Sequence, residues 1–299
     1  MGFLSKIKDV LRLLRVVQWV KNGFVFLPLF FNKQILQFDS LHTCALAFFS
    51  FCLISSSIYC LNDLVDCEAD RRHPRKKNRP IASGRIPSWF GYFFFFFLFV
   101  SANIILIFMI PLKTRLLSIV VLDTYFISNI AYCLFLKNIA IVDVMLISFG
   151  FVLRVIFGGV VMSIEVSSWI ILMTFLLCLF LAFAKRRDDV LLYEKTGEKP
   201  RRNTDGYNLN FINMALSISA TIAIVCYIMY TLSDVVILRL HSPYLFFTSF
   251  FVIAGLFRYL QISLVYENSG SPTSILVKDH FIQLCMVGWV ISFIYILYF

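Results

Sequence analysis

The sequence predicts an all-α, polytopic membrane protein with nine transmembrane helices, and three observations carry that expectation. Sixty per cent of the 299 residues are hydrophobic, only 15% are charged, and Phe alone numbers 34; the mean hydropathy is +0.84. Apolar runs of about 18 to 24 residues recur along the chain, the length a helix needs to cross roughly 30 Å of hydrocarbon. Lys and Arg are sorted onto alternate connections between those runs. Such a composition excludes a water-solvated enzyme, a disordered chain and a disulfide-stapled secreted domain.

Taken in order, the runs fall at 12–31, 41–61, 87–110, 114–135, 139–162, 167–185, 209–231, 243–265 and 279–299. The first follows the basic residues Lys6, Lys8, Arg12 and Arg15 and is interrupted by Gln18, Lys21 and Asn22. It offers no small-residue cleavage site, so it reads as a retained span and not a removed signal peptide. The second ends at a charged loop, 62–86. The third carries Phe93 to Phe97, most simply lipid-facing or packing surface. The fourth and fifth hold Asp123, Asp143 and Arg154, and the sixth ends on Lys185-Arg186-Arg187 before a second polar loop, 185–208. The last three are separated by short connections.

Placing the N-terminus in the cytoplasm puts 21 of the 27 Lys and Arg on the inner side, with only Lys33, Lys113, Arg115 and Arg239 outside. That sorting, with anionic substrates, explains the net charge of +10 better than nucleic acid does, and no nucleic-acid partner is expected. The two polar loops are four helices apart and share the inner side, as expected of two related halves, although no residue-level repeat is visible. One membrane-embedded domain over 1–299 is expected, multi-pass in the cell (inner, cytoplasmic) membrane, with catalytic loops at about 62–86 and 185–208 facing the cytoplasm. The eight cysteines form no CxxC pair, and seven lie inside apolar runs, where they read as reduced core residues.

The end of the second run carries the chemistry. Asn62, Asp66 and Asp70 are spaced i, i+4, i+8, so a helix continuing through them places three oxygen ligands on one face. Such hard ligands suit Mg²⁺, which commonly uses one or two carboxylates, several waters and substrate phosphates. Immediately afterwards Arg75, Lys76 and Arg79 stand in a basic cluster able to complement the same phosphates. A solvated positive-inside connector explains the basic residues alone, but it requires no helical register among the acids.

The string Asn62-Asp63-x-x-Asp66-x-x-x-Asp70-x-x-His73-Pro74-x-Lys76-x-x-Arg79-Pro80-Ile81-Ala82-Ser83-Gly84 closely resembles the first aspartate-rich motif of the UbiA prenyltransferase superfamily. Gln18-Trp19-Val20-Lys21-Asn22, Lys137 with Asp143, Gly150 to Arg154, and Lys185-Arg186-Arg187 are similar to its decaprenyl-phosphate phosphoribosyltransferase branch. The resemblance covers essentially the whole chain and implies a UbiA-like helical bundle. It also implies a reaction: 5-phosphoribosyl 1-diphosphate and a polyprenyl phosphate give polyprenyl-phosphate 5-phosphoribose and diphosphate, on the way to furanose donors for the envelope. Mg²⁺ on Asn62, Asp66 and Asp70 would neutralise the leaving diphosphate, with Asp63 tuning the metal shell. The attacking lipid phosphate is already anionic, so positioning and electrostatics replace a strong general base.

At 188–189 the chain departs from ordinary prenyltransferases, whose second motif spaces its acids. Adjacent acids on a helix point about 100° apart, so only one of Asp188 and Asp189 can readily face a metal, and Asp189 is favoured. Lys185 and Arg186 suit an extra phosphate such as the sugar's 5-phosphate. Lys21, Asn22, Lys137 and Arg154 are further candidates for phosphate; snorkelling or interhelical pairing are the plainer readings of the charged ones. Asp123 reads as an interhelical hydrogen-bond partner, and His73 as a loop organiser. Two other readings stand beside this one: a UbiA-type transferase moving a prenyl group to an aromatic acceptor, and a transporter or scaffold with no group-transfer activity. Chain length of the lipid and homo-oligomeric state are left open by the sequence.

Overall fold

The computed structural model describes residues 3–72, 76–197, 199–201, 203–240, 242–267 and 272–298. Every regular element among them is helical. Thirteen α-helices follow in order: α1 Phe3–Leu13, α2 Leu27–Phe31, α3 Phe38–Val65, α4 Cys67–Arg72, α5 Ser88–Met109, α6 Leu112–Leu134, α7 Val142–Val161, α8 Ser168–Thr196, α9 Leu209–Leu232, α10 Asp234–Leu240, α11 Ser249–Leu264, α12 Pro272–Lys278 and α13 His280–Tyr298. Helices dominate because no water is available in hydrocarbon to satisfy a backbone left open.

Among the described residues seven helical spans are long and apolar enough to cross a membrane: α3, α5, α6, α7, α8, α9 and Pro243–Leu264, whose first two turns are a tighter 3-10 coil running into α11. The chain is thus a multi-pass membrane protein. The outermost two of the nine expected spans differ from the rest. At the C-terminal end the apolar helix is shorter, His280–Ile296. At the N-terminal end, the expected straight span 12–31 is broken: Lys6–Leu13 and Val16–Phe31 meet at 41°. The break sits at Arg15, which adopts a left-handed conformation (φ 49, ψ 47), and Val16–Phe26 then winds as a 3-10 helix. Such a conformation costs a side-chain-bearing residue of order 1 kcal/mol or more and needs outside support. Asp63 supplies it by accepting a hydrogen bond from the Arg15 guanidinium.

Both polar loops are more helical than expected. Helix α3 runs to Val65, and α4 resumes at Cys67. Helix α8 continues past its apolar part to Thr196, capped at its start by Ser167 accepting from the Trp169 amide. It ends at Gly197, whose φ of 71 is the left-handed C-cap that glycine alone adopts without cost.

The chain divides into two compact units. One comprises Met1–Leu136 and Gly150–Val166, the other Lys137–Phe149 and Ser167–Phe299. In the first, α3 is the central helix. Ser50 and Ser57 donate to the backbone of α5 at Ala102 and Phe95, small polar residues that let two helix backbones approach. Phe51 is fully buried between Tyr125 and Phe157. The consecutive phenylalanines Phe93 to Phe97 of α5 divide as a helix must: Phe93, Phe96 and Phe97 are exposed, while Phe95 packs on Phe126. In the second unit α8 packs along α9, and Phe180 of α8 lies edge-on to Tyr259 of α11.

Candidate active site

The expected oxygen ladder is present in the first unit. Although α3 breaks at Asp66 (φ −90, ψ 4), the hydrogen bonds run on across the break. The Asp66 amide donates to the Asn62 carbonyl at 3.0 Å and the Asp70 amide to the Asp66 carbonyl at 2.8 Å. Asn62, Asp66 and Asp70 therefore keep the i, i+4, i+8 register on one face. Asn62 Oδ1 accepts a weak bond from Cys133 Sγ at 3.6 Å. Asn62 and Asp66 are half-buried, whereas Asp70 is buried.

Asp63 lies off that ladder. It is 2% exposed and accepts from Arg15 and, at 3.2 Å, from Arg79 Nη1. The same Arg79 nitrogen donates to Asp70 Oδ2 at 2.6 Å, so one guanidinium spans both acids. Burial pushes the Asp70 carboxyl above the ordinary carboxylate range, against the pull of Arg79 and the nearby Lys76. The turn that delivers Arg79 is fixed by Arg71 donating to the Ala82 carbonyl at 3.2 Å and by Arg85, which donates to Asp9 and to the Asn78 carbonyl. Arg75 and His73 lie outside the described residues.

The donor set of the ladder fits a magnesium ion. Among the described residues no three His, Cys, Asp or Glu side chains converge into a ready-made metal cage. The ladder instead offers one amide and two carboxylate groups, all oxygen, with the remaining positions left for water and phosphate. That is the incomplete protein shell Mg²⁺ uses at phosphate sites.

Deeper in the same unit, Arg154 is 5% exposed. Its Nε donates to Asn22 Oδ1 at 2.8 Å, Nη1 to the Gly150 carbonyl at 2.7 Å and Nη2 to Tyr125 Oη at 3.0 Å. The rings of Phe51, Tyr125 and Phe151 pack around its guanidinium carbon at 4.8–5.1 Å. Every acceptor is neutral. Asn22 is 1% exposed and is held in turn by Cys52 and Ser55 of α3.

The second unit contains its own charged network. Arg186 donates from Nε to Asp143 Oδ2 at 2.6 Å and from Nη1 to Asp189 Oδ2 at 3.0 Å. Arg201 Nε reaches the same Asp189 oxygen at 2.7 Å, and Tyr207 Oη donates to Asp143 Oδ1 at 2.6 Å. Burial and that carboxylate raise the Tyr207 phenol above its ordinary range. Arg186, expected to meet a phosphate, is only 2% exposed and braces Asp143 and Asp189. Lys185 is exposed, and Lys137 is half-buried in the Leu136–Asn138 turn. Arg187 is buried, with Nε on Asn213 Oδ1 at 2.8 Å and Nη1 lacking a hydrogen-bond partner among the described residues. Asp123 is half-buried and accepts from Asn103 at 3.4 Å, the interhelical role expected of it.

Sequence reasoning passed over Arg15, Tyr207 and Arg201. Arg15 was counted with the topological basic residues of the N-terminus, and nothing local marks it as the partner of an acid 48 positions on. Tyr207 and Arg201 sit in the second polar loop without any motif around them.

The profile of the UbiA prenyltransferase family matches residues 34–284. The decaprenyl-phosphate phosphoribosyltransferase of Mycolicibacterium smegmatis is 33% identical over 295 residues, spanning 95% of this chain and 91% of the relative. That of Corynebacterium glutamicum is 30% identical, over 97% of this chain and 86% of its own. Among solved structures, a UbiA homolog from Archaeoglobus fulgidus bound to GPP and Mg²⁺ superposes with a TM-score of 0.71 at 20% identity, covering 96% of this chain and 99% of that one.

Proposed function

The chain belongs to the UbiA prenyltransferase family, and from that premise we propose that it transfers 5-phosphoribose from 5-phosphoribosyl 1-diphosphate to a polyprenyl phosphate of the decaprenyl type. The observation that carries this reading is the near-full-length similarity to proteins named decaprenyl-phosphate phosphoribosyltransferase, in a chain that keeps the Asn62–Asp66–Asp70 ladder in register. The reading includes the nine spans, one membrane-embedded domain over both units, and an active face in the cytoplasm of a cell-membrane protein. Either state of association, monomer or homo-oligomer, is compatible with it.

In the reaction, an oxygen of the lipid phosphate forms the new bond to ribose C1 as the bond from C1 to the diphosphate oxygen breaks. Diphosphate leaves with the electron pair. Asn62, Asp66 and Asp70 would hold Mg²⁺, which when bound supplies charge neutralisation for that leaving group. Arg79 sits on Asp70 and is placed to exchange that carboxylate for a phosphate oxygen, and Lys76 adds positive charge beside it. Asp63 acts on this cluster through Arg15 and Arg79, which it anchors. Asp143 and Arg186 fix Asp189 and, through it, Arg201 at the second polar loop. Lys185 is the exposed member of the basic trio and is the one assigned to the sugar's 5-phosphate, with Lys137 a second cation for that group. Carboxylates held this way need no proton transfer of their own, since both reacting phosphates are ionised at neutral pH.

Detergent-purified protein incubated with Mg²⁺, radiolabelled phosphoribosyl diphosphate and a polyprenyl phosphate is expected to move label into the organic phase, and Asp66→Ala is expected to stop it. If label stays aqueous with every polyprenyl phosphate tried, while a prenyl diphosphate is consumed in a parallel reaction with an aromatic acceptor, the protein is a prenyltransferase and this reading fails.

A further inference from the structure

The first unit holds a cluster of cations that the metal ladder does not use. Lys21 lies one residue before Asn22 in the 3-10 segment Val16–Phe26. It is half-buried and has no hydrogen bond or ion pair among the described residues, and the charges acting most strongly on its ammonium are Arg154 and Arg15, both positive. Arg15 has a counter-ion in Asp63. Arg154 has none among the described residues: its three bonds go to an amide oxygen, a backbone carbonyl and a phenol. Two positive charges, Lys21 in the Val16–Phe26 segment and Arg154 on α7, therefore act on each other with no acid paired to either among the described residues.

Burying one unpaired cation is costly, and burying two together is more so. Snorkelling accounts for a lysine whose ammonium reaches water, but not for Arg154, which is sealed by three aromatic rings and pinned at three nitrogens. The arrangement is complete only when an anion arrives. Its position tells which one. Asn22 bonds to Cys52 and Ser55, which precede Asn62 on α3 by seven to ten residues, or about 10–15 Å along the helix. The anion site is thus separate from the metal ladder and displaced along α3 into the bundle.

We infer that Lys21 and Arg154 form a seat for the phosphomonoester head of the lipid acceptor, Lys21 making the direct contact and Arg154 acting as a fixed positive charge behind it. This rests on the transferase reading above and assigns the acceptor a place within it. Arg154 is a positioning residue: it holds Asn22, and through Asn22 the turn that carries Lys21, and its own contacts leave two N–H groups unspent. The geometry separates the two anions of the reaction, diphosphate at the ladder and lipid phosphate below it, with room between them for a sugar.

The test is direct binding, which needs no turnover. Geranyl phosphate, geraniol and Mg²⁺-diphosphate are titrated into the detergent-purified full chain by calorimetry. Lys21→Met is expected to weaken geranyl phosphate about tenfold or more, to leave Mg²⁺-diphosphate within about twofold, and to leave geraniol unchanged. Because Lys21 has no partner to lose among the described residues, this variant is not expected to disturb folding. Arg154→Met is expected to lose the geranyl phosphate response, and Arg154→Lys to recover part of it; a purely structural arginine would show no such recovery. Equal weakening of both anions in Lys21→Met would place the donor's diphosphate at the seat and overturn the inference, as would unchanged geranyl phosphate binding. Normal binding through Lys21 in a protein that transfers no phosphoribose would leave the seat standing and sink the transferase reading instead.

Discussion

Arg79 Nη1 lies 2.6 Å from Asp70 Oδ2, so a carboxylate of the proposed metal ladder is held by a cation of the loop proposed to bind phosphate. The same nitrogen is 3.2 Å from Asp63 Oδ1. With both acids nearly inaccessible and the guanidinium one quarter exposed, the arginine neutralises two buried charges at once.

Replacing it separates the two roles. In Arg79→Met, Asp63 keeps Arg15 but Asp70 loses its ion pair with Arg79, and breaking a buried pair from one side costs up to roughly 3–5 kcal/mol when both groups are sealed. Arg79 is partly solvated, so a smaller loss of stability is expected, together with a rise of about tenfold in KM for phosphoribosyl diphosphate from the lost phosphate contact. Initial rates against donor concentration, beside a thermal melt, check both. An unchanged KM would mean that Arg79 never leaves Asp70.

The ladder makes a separate claim about metal. Chelation with EDTA is expected to abolish transfer and added Mg²⁺ to restore it. Asp66→Asn, which keeps the shape and removes the charge, is expected to lower kcat on the order of 10²–10³-fold, the range seen when one electrostatic stabiliser of a transition state is removed. Its melting temperature is expected to stay close to that of the parent, because Asp66 is half-buried at a helix break and not sealed in the core. A metal-independent rate in the parent protein would remove the ladder from the mechanism.

In the second unit the pair Asp143–Arg186 is sealed at both ends, 0% and 2% exposed in its side chains. Asp143→Asn removes one carboxylate from a buried guanidinium that also bonds Asp189, and Arg186→Met leaves a buried carboxylate with Tyr207. Each single change is expected to cost about 3–5 kcal/mol, and the double change less than the sum of the two. Denaturation of the four proteins in the same detergent measures the coupling. Strict additivity would show that the two side chains do not share one interaction.

That pair also shows where the sequence stops being legible. Hydropathy marks the spans because each apolar helix must satisfy its backbone internally, and the Asn62–Asp66–Asp70 spacing is a property of one local segment. The bend at Arg15 is invisible for the opposite reason: no Gly or Pro marks it, and it is held by Asp63, far along the chain. Arg186 reads as a phosphate ligand beside Lys185, yet its partner Asp143 comes from another helix 43 positions earlier. A basic trio at a helix end gives no hint of which member will turn inward. The three separate on the helix, leaving Lys185 exposed and Arg186 and Arg187 buried. The extension of α8 to Thr196 is likewise set by its glycine cap and not by hydropathy.

The acceptor seat depends on one close approach. A Cβ built on Gly158 of α7 would lie 2.0 Å from the Val25 carbonyl oxygen, far inside any tolerated contact, so only glycine lets α7 press against the Val16–Phe26 segment here. Arg154 stands one turn earlier on the same helix and spans the remaining gap to Asn22. Gly158→Ala must push the two segments apart, and overpacking of this kind costs about 1–3 kcal/mol. Because the obstructing atom belongs to backbone, no rotamer change can absorb it. The displacement is expected to break the Arg154–Asn22 bond before it unfolds the protein. The variant should therefore melt lower and bind geranyl phosphate more weakly, while Mg²⁺-diphosphate binding at the ladder stays near the parent value. Gly23, in the same 3-10 segment, has open space around its Cβ position, so Gly23→Ala is the matched control and should leave both affinities in place. Equal effects from the two glycines would show that the contact with Val25 is not what holds the seat together.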